Sequence, residues 1–229
     1  MQQLRALLTV IRWDVVVEIK RRESTLNMSL FALLVLFIAS YAMSDSRELL
    51  QAFGPIFYWV AIFFAGTVGL ARAFLVEREG GAIHAMLVAP MDVSLYYIGK
   101  VIATWIYVMI MAGLVLLAYI VLFDFDDWSK LGRILATTAC FVLVYVIVGV
   151  LLAAMTTSLR GGEVILRILL FPLMIPAVVV VYSANDGLFK TSALALESPA
   201  PFKAITVLLA MAAVYVSVCV VLFPKVVEE

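Results

Sequence analysis

The chain reads Glu77-Arg78-Glu79-Gly80-Gly81-Ala82-Ile83-His84-Ala85-Met86-Leu87-Val88-Ala89-Pro90 between two long apolar runs. Carboxylates at Glu77 and Glu79 favour a helix N-terminus through the helix dipole, and Pro90 ends the helix because proline lacks a backbone N–H. At helical spacing, Ile83, Met86 and Leu87 lie on one small apolar face. We therefore predict a short amphipathic helix over residues 77–90 at the membrane face, suited to docking a soluble domain. An ordinary interfacial loop is the alternative.

The composition excludes a soluble domain of this length. Of the 229 residues, 66% are hydrophobic and only 14% are charged, which is the balance of a polytopic membrane protein. The formal net charge is zero, so nothing suggests nucleic acid as a partner. Cys140 and Cys219 lie in apolar runs without a Cys-x-x-Cys spacing, and we expect them to be buried small hydrophobes rather than redox or metal-binding groups.

The apolar runs predict the fold class, an all-α integral membrane protein with six transmembrane helices in a single domain over residues 1–229. Each run is close to the ~20 residues that cross ~30 Å of hydrocarbon. The predicted spans are 26–43, 53–75, 99–122, 132–157, 164–183 and 204–223. The segments expected to lie outside are 44–52, 124–128 and 184–203.

Residues 1–25 are too charged to span a bilayer, yet they carry an amphipathic pattern. The apolar positions recur at helical spacing and are Leu4, Leu7, Leu8, Ile11, Val15 and Ile19. We predict an N-terminal elbow helix lying in the interface. The alternative is a secretory signal, but the apolar stretch that follows, of about 18 residues, is longer than a typical signal core and favours a retained first span.

The distribution of positive charge predicts the orientation. If the N-terminus is cytoplasmic, eleven of the 16 Lys and Arg residues lie inside. Because cytoplasmic loops carry the excess of Lys and Arg, both termini and the 77–90 helix are expected in the cytoplasm.

The fifth span contains Pro172 and Pro176. Each proline removes a backbone donor, and the two lie on nearly the same helix face. Such a site is tolerable in a membrane where protein or a cavity satisfies the freed carbonyls, so we predict a functional helix break there. A tolerated packing kink is the alternative.

The sequence carries no nucleophile–base pair, no zinc-ligand spacing and no Walker loop. The Gly161-Gly162 pair lacks the Gly-Lys-Ser/Thr context of a phosphate-binding loop, so the chain is not expected to be an enzyme or to hydrolyse ATP. No bound cofactor or metal is expected. The single histidine, His84, lies in the predicted surface helix, and a solvated or partner-contacting role is favoured over haem ligation.

The central stretch resembles the first cytoplasmic loop of type-2 ABC exporter permeases. The matching positions are Glu77, Glu79, Gly81, Leu87, Pro90, Gly99 and Lys100. In that family the loop forms the coupling helix that contacts the ATP-binding subunit. The resemblance therefore implies an ATPase contact made by Glu77, Glu79, Gly81, Met86, Leu87 and Pro90. Ile83-His84 departs from the Leu-Glu that many members carry.

A second block resembles the haem exporter B family of the bacterial cytochrome c maturation system. It consists of a turn, Arg160-Gly161-Gly162, and the double-proline run Ile168-Leu169-Leu170-Phe171-Pro172-Leu173-Met174-Ile175-Pro176. The resemblance implies a permease in the bacterial inner membrane, with the Arg160 turn in the cytoplasm. It also implies an ATPase A subunit that hydrolyses ATP, membrane partners C and D, and a periplasmic haem chaperone. Haem would then be the substrate, either exported or released from the chaperone.

Two other functions are compatible with the residues. One is a type-2 permease that exports a lipid, a drug or a polysaccharide. The other is a non-transporting membrane scaffold that assembles a haem-handling complex.

Overall fold

The computed structural model describes residues 2–21, 23–72, 74, 92–156, 159, 161–189 and 201–228. The predicted coupling helix over 77–90, with His84, lies outside these described residues, as does Arg160.

The described residues are almost entirely helical. The helices are α1 (Gln2–Arg21), α2 (Glu23–Ala42), α3 (Arg47–Arg72), α4 (Val93–Leu122), a 3-10 turn (Trp128–Lys130), α5 (Leu131–Thr156), α6 (Gly162–Phe189) and α7 (Pro201–Glu228). Within the described ranges no strand occurs. Six helices, α2 to α7, are long and apolar enough to cross a membrane. The all-α fold class and the number of predicted spans are thus confirmed.

Two helices extend into segments that are expected to lie outside the membrane. α3 begins at Arg47, because the Ser46 hydroxyl accepts from the Leu49 N–H at 3.4 Å and caps the first turn. The segment 44–52 is therefore helical from Arg47 onward. α6 likewise continues to Phe189, where the Trp59 indole N–H donates to the Asn185 side-chain oxygen at 2.6 Å and fixes the last turns of α6 to α3.

α1 is helical, and its packed face agrees with the predicted stripe only in part. Leu7 of the stripe packs on Gly99 of α4 together with Val10, which lies outside the stripe, and a β-carbon at Gly99 would lie 3.4 and 3.2 Å from their methyl groups. Leu8 also belongs to the stripe but is 60% exposed. α1 is therefore held by α4. Its predicted position as an elbow in the membrane interface stays a prediction.

Close contact between α3 and α5 forms the centre of the bundle. The Tyr145 ring lies against Gly66, where a β-carbon would be 2.8 Å from ring atom Cε1. Leu70 fills the corresponding space at Gly149. Small residues at helix contacts let backbones approach, which is a main source of packing energy where lipid supplies no hydrophobic drive.

Three hydrogen bonds between helices pair tyrosine and tryptophan side chains inside the bundle. The Tyr58 and Thr138 hydroxyls lie 2.8 Å apart, and the Tyr145 hydroxyl donates to the Phe63 carbonyl at 3.2 Å. The Trp105 indole N–H donates to a carbonyl of α5, that of Ala139, at 3.1 Å. These bonds satisfy groups that hydrocarbon cannot, and they fix how far the helices can slide.

Gly66→Ala tests this packing, with Gly113→Ala as the control. A methyl group at Gly66 would meet the Tyr145 ring, which its hydrogen bond to Phe63 holds in place. Overpacking of this kind costs about 1–3 kcal/mol. At Gly113 nothing in the described part of the chain lies within 4 Å of the added atom. We expect thermal unfolding in detergent to show a clear drop in melting temperature for Gly66→Ala only. Equal melting temperatures would contradict the close α3–α5 contact.

Candidate functional site

A buried ion pair lies where α3 ends and α4 begins, here called the α3–α4 end of the bundle. The Lys100 ammonium is 3.0 Å from a carboxylate oxygen of Asp14. The two side chains are only 6% and 10% exposed. The ammonium also lies 5.2 Å from the centre of the Phe74 ring. A charge this deeply buried is tolerated because it is paired, and breaking such a buried pair by removing one partner is strongly destabilising.

Helices α5 and α7 meet α4 next to this ion pair. The Tyr97 hydroxyl, one turn before Lys100, donates to the Ile147 carbonyl of α5 at 2.6 Å. The Phe223 ring of α7 lies 4.9 Å from the Tyr97 ring and 6.4 Å from the Phe74 ring. We call Asp14, Phe74, Tyr97, Lys100 and Phe223 the Lys100 cluster. It ties α1, α5 and α7 to α4.

The Lys100 cluster adjoins both ends of the segment that contains the predicted coupling helix. Phe74 is the last described residue before that segment, and its ring belongs to the cluster. Asp92 is the first described residue after it, and its carboxylate accepts from the Ser94 N–H at 2.9 Å, capping α4. A displacement of residues 75–91 would therefore act directly on the cluster.

A second feature of the same end is the turn between α5 and α6. Gly161 has φ +74°, a left-handed conformation that favours glycine. At Gly162 a β-carbon would clash with the Thr156 carbonyl oxygen. The Val164 N–H donates to the Gly161 carbonyl at 3.0 Å and starts α6. The two glycines of the Arg160-Gly161-Gly162 motif are thus required by the reversal of the chain.

Glu163 in the first turn of α6 lies near Arg167, one turn further along the same helix. The closest nitrogen and oxygen are 3.9 Å apart, and the side chains are 67% and 48% exposed. An exposed pair at this distance contributes little to stability.

Pro172 and Pro176 do not interrupt α6, which continues as one helix from Gly162 to Phe189. The structure therefore shows no gap in the helix at the position of the predicted break. Both prolines are exposed on the surface of the bundle. The Tyr215 hydroxyl of α7 donates to the Leu173 carbonyl at 3.3 Å, so a neighbouring helix supplies a polar group at this turn. A functional role for the prolines stays a prediction.

All six of the predicted coupling residues lie outside the described part of the chain. These are Glu77, Glu79, Gly81, Met86, Leu87 and Pro90, together with Arg160 of the turn.

Asp14 was not among the site residues predicted from the sequence. A signal was present, since Asp14 stands between two positions of an apolar stripe, where a lone acid needs a basic partner. Among the described residues, no group of three or more His, Cys, Asp or Glu side chains could hold a metal ion.

Comparison with known proteins gives a family match over nearly the whole chain. The family model described as CcmB protein matches residues 5–228. A protein of Bradyrhizobium diazoefficiens named "Heme exporter protein B" is 24% identical over 187 residues, covering 80% of this chain and 82% of the relative. Proteins of the same name are 26% identical in Pseudomonas aeruginosa, covering 70% and 71%, and in Escherichia coli, covering 78% and 80%.

A double-mutant cycle tests the buried ion pair. Asp14→Asn and Lys100→Met should each lower the stability of the folded protein by about 3–5 kcal/mol, because each breaks a buried ion pair. The double variant should lose clearly less than the sum, since residues in direct contact have coupled effects on stability. Glu163→Gln is the control, and loss of its exposed pair should cost at most about 1 kcal/mol. Denaturant unfolding in detergent measures all four. Additive losses would show that the two side chains do not interact.

Proposed function

We propose that the chain, which belongs to the CcmB protein family, is the membrane permease subunit of a haem exporter complex that serves cytochrome c maturation. The observation that carries the proposal is the family match over residues 5–228, with relatives named as heme exporter protein B across most of their length. Six helices able to cross a membrane fit this role in a multi-pass protein.

A separate ATPase subunit supplies the energy in this proposal. Its dock is the segment 77–90, with contacts from Glu77, Glu79, Gly81, Met86, Leu87 and Pro90. Support comes from the loop's resemblance to coupling helices of type-2 exporters. It also comes from the two described ends of the region that holds this segment, since Phe74 belongs to the Lys100 cluster and Asp92 caps α4, the helix that carries Lys100.

The proposed mechanism is a shift between two packings of the bundle. Closure of the ATPase around ATP would push the coupling segment against Phe74 and the first turn of α4. Because the cluster ties α1, α5 and α7 to α4, these helices would move together rather than singly. Packed cores switch between discrete arrangements rather than deforming continuously, so a small push can change the opposite end.

The remaining parts of the complex follow from the same proposal. We place both termini and the α3–α4 end in the cytoplasm of a bacterial inner membrane, which the excess of Lys and Arg supports. The partners are the A subunit as ATPase, membrane partners C and D, and a periplasmic haem chaperone. Haem is the substrate, either exported or released from that chaperone.

Leu87→Asp tests the dock, with Ala85→Asp as the matched control. Position 87 lies on the apolar face of the predicted helix and position 85 on the opposite face. Burying an unpaired charge is unfavourable by several kcal/mol, so Leu87→Asp should abolish co-purification of the ATPase while the protein still inserts. Ala85→Asp should retain the ATPase. Equal recovery of the ATPase with both variants would refute the proposed dock.

Replacing both prolines of α6 tests whether they serve transport. Pro172→Ala/Pro176→Ala should straighten α6 and raise its intrinsic helix stability, because each proline costs about 3 kcal/mol in a helix interior. We expect the variant to insert and to bind the ATPase, yet to support little cytochrome c formation, measured by haem staining. Pro55→Ala, inside α3, is the control for loss of a helix proline. If the double variant forms cytochrome c as well as the wild type does, the prolines serve packing and have no role in transport.

A further inference from the structure

We propose that the opposite end of the bundle carries a binding site for an organic cation, a basic side chain of the lysine or arginine type on an apolar stem. The site is a cavity of about 670 Å³ where α4 ends and the 3-10 turn leads into α5, here called the α4–α5 end. It is enclosed by the first turns of α3, the end of α4, the loop that follows and the end of α6.

The rim of the cavity is acidic and only partly compensated. Its carboxylates are Glu48, Asp124, Asp126 and Asp127. Arg47 pairs with Asp124, and Lys130 lies 3.1 Å from Asp127. Within the described part of the chain, no salt bridge is made by Glu48 or by Asp126. Two negative charges of the rim are therefore left for a ligand.

Asp127 stays charged under conditions where an ordinary carboxyl begins to protonate. The Ser129 hydroxyl donates to it at 2.6 Å, and this bond together with the Lys130 ammonium holds the pKa of the Asp127 carboxyl below its usual range. The Asp127 carboxylate is therefore held in its charged form beside Lys130.

The floor of the cavity is aromatic. The Tyr119 ring stacks on the Phe123 ring at 4.8 Å and meets the Phe189 ring edge-on at 5.2 Å. Phe125 completes the floor, 6.2 Å from Phe189. Ring faces carry negative charge density, so a cation that reaches them is attracted in addition to its pairing with the rim.

Tyr119 gives an indication of a ligand that is independent of the acids. The residue is only 3% exposed and lines the cavity. Its hydroxyl makes no hydrogen bond to the residues that the structure describes, yet the oxygen itself keeps some exposed surface, since among these residues only Ser29 Oγ is a fully buried side-chain polar atom without a partner. The oxygen is therefore open to accept from an ammonium or guanidinium group in the cavity.

A basic side chain fits this lining better than a metal ion does. Among the described residues, the acids do not form a group of three that could hold a metal. An apolar stem would lie along the aromatic floor while its charged head reaches Glu48 and Asp126, which is how lysine and arginine side chains bury their stems. The same chemistry could be presented by a polypeptide or by a free amine.

The test is a titration of the purified full-length chain in nanodiscs of zwitterionic lipid. The probes are acetyl-arginine amide and acetyl-lysine amide, with acetyl-citrulline amide as the uncharged match, and agmatine as the free amine. We expect saturable, salt-sensitive binding of the basic probes and none of the citrulline probe. Agmatine binding as tight as acetyl-arginine amide would identify a free cation as the source, and clearly weaker binding would identify a polypeptide.

Variants locate the binding. Glu48→Gln and Asp126→Asn should each weaken binding of acetyl-arginine amide about tenfold, because each removes a charge-assisted contact. Asp45→Asn, which removes an exposed acid near the same end without lining the cavity, should leave binding unchanged. Tyr119→Phe should weaken it several-fold while gel filtration shows an unchanged folded protein. Absence of saturable binding to the wild-type chain, or equal weakening by Asp45→Asn, would overturn the proposal.

Discussion

The pairing of Lys100 with Asp14 is the interaction on which the α3–α4 end of the protein depends. An ammonium group only 6% exposed is costly to bury, and a partner 3.0 Å away offsets that cost. The loss of either charge, about 3–5 kcal/mol, is a large fraction of the 5–15 kcal/mol that holds a typical protein folded. The pair fixes α1 against α4, next to Phe74, where the chain leaves the bundle toward the proposed ATPase dock.

Contacts between side chains continue from this pair to the other end of the molecule. Tyr97 bonds to the backbone of α5 at Ile147, and Tyr145 of α5 bonds to the backbone of α3 at Phe63. Further along, Trp59 of α3 packs on Phe189 of α6 at 6.3 Å, beside the aromatic floor of the cavity. Because such cores are close-packed, movement at one end has a physical route to the other.

The range of each interaction decides what could be predicted from the sequence. The six spans follow from the length of apolar runs, and the Gly161-Gly162 turn follows from local backbone chemistry. The end of α6 does not, since it depends on a bond between Trp59 and Asn185, residues far apart in the chain. The Asp14–Lys100 pair and the cavity at the α4–α5 end likewise depend on tertiary contacts. For the ion pair, the one indication in the sequence is the single acidic residue, Asp14, between apolar positions of α1.

In the proposed mechanism, ATP binding to the ATPase docked at the α3–α4 end changes the structure of the α4–α5 end. Its most direct measurement is the distance between spin labels at Asp45→Cys and Trp128→Cys, two exposed positions beside the cavity, in a chain lacking Cys140 and Cys219. The labelled chain is assembled with its ATPase and measured without nucleotide and with ATP under non-hydrolysing conditions. We expect ATP to shift the distance distribution, and Asp14→Asn to reduce the shift. Identical distributions in a complex shown to hold ATP would contradict it.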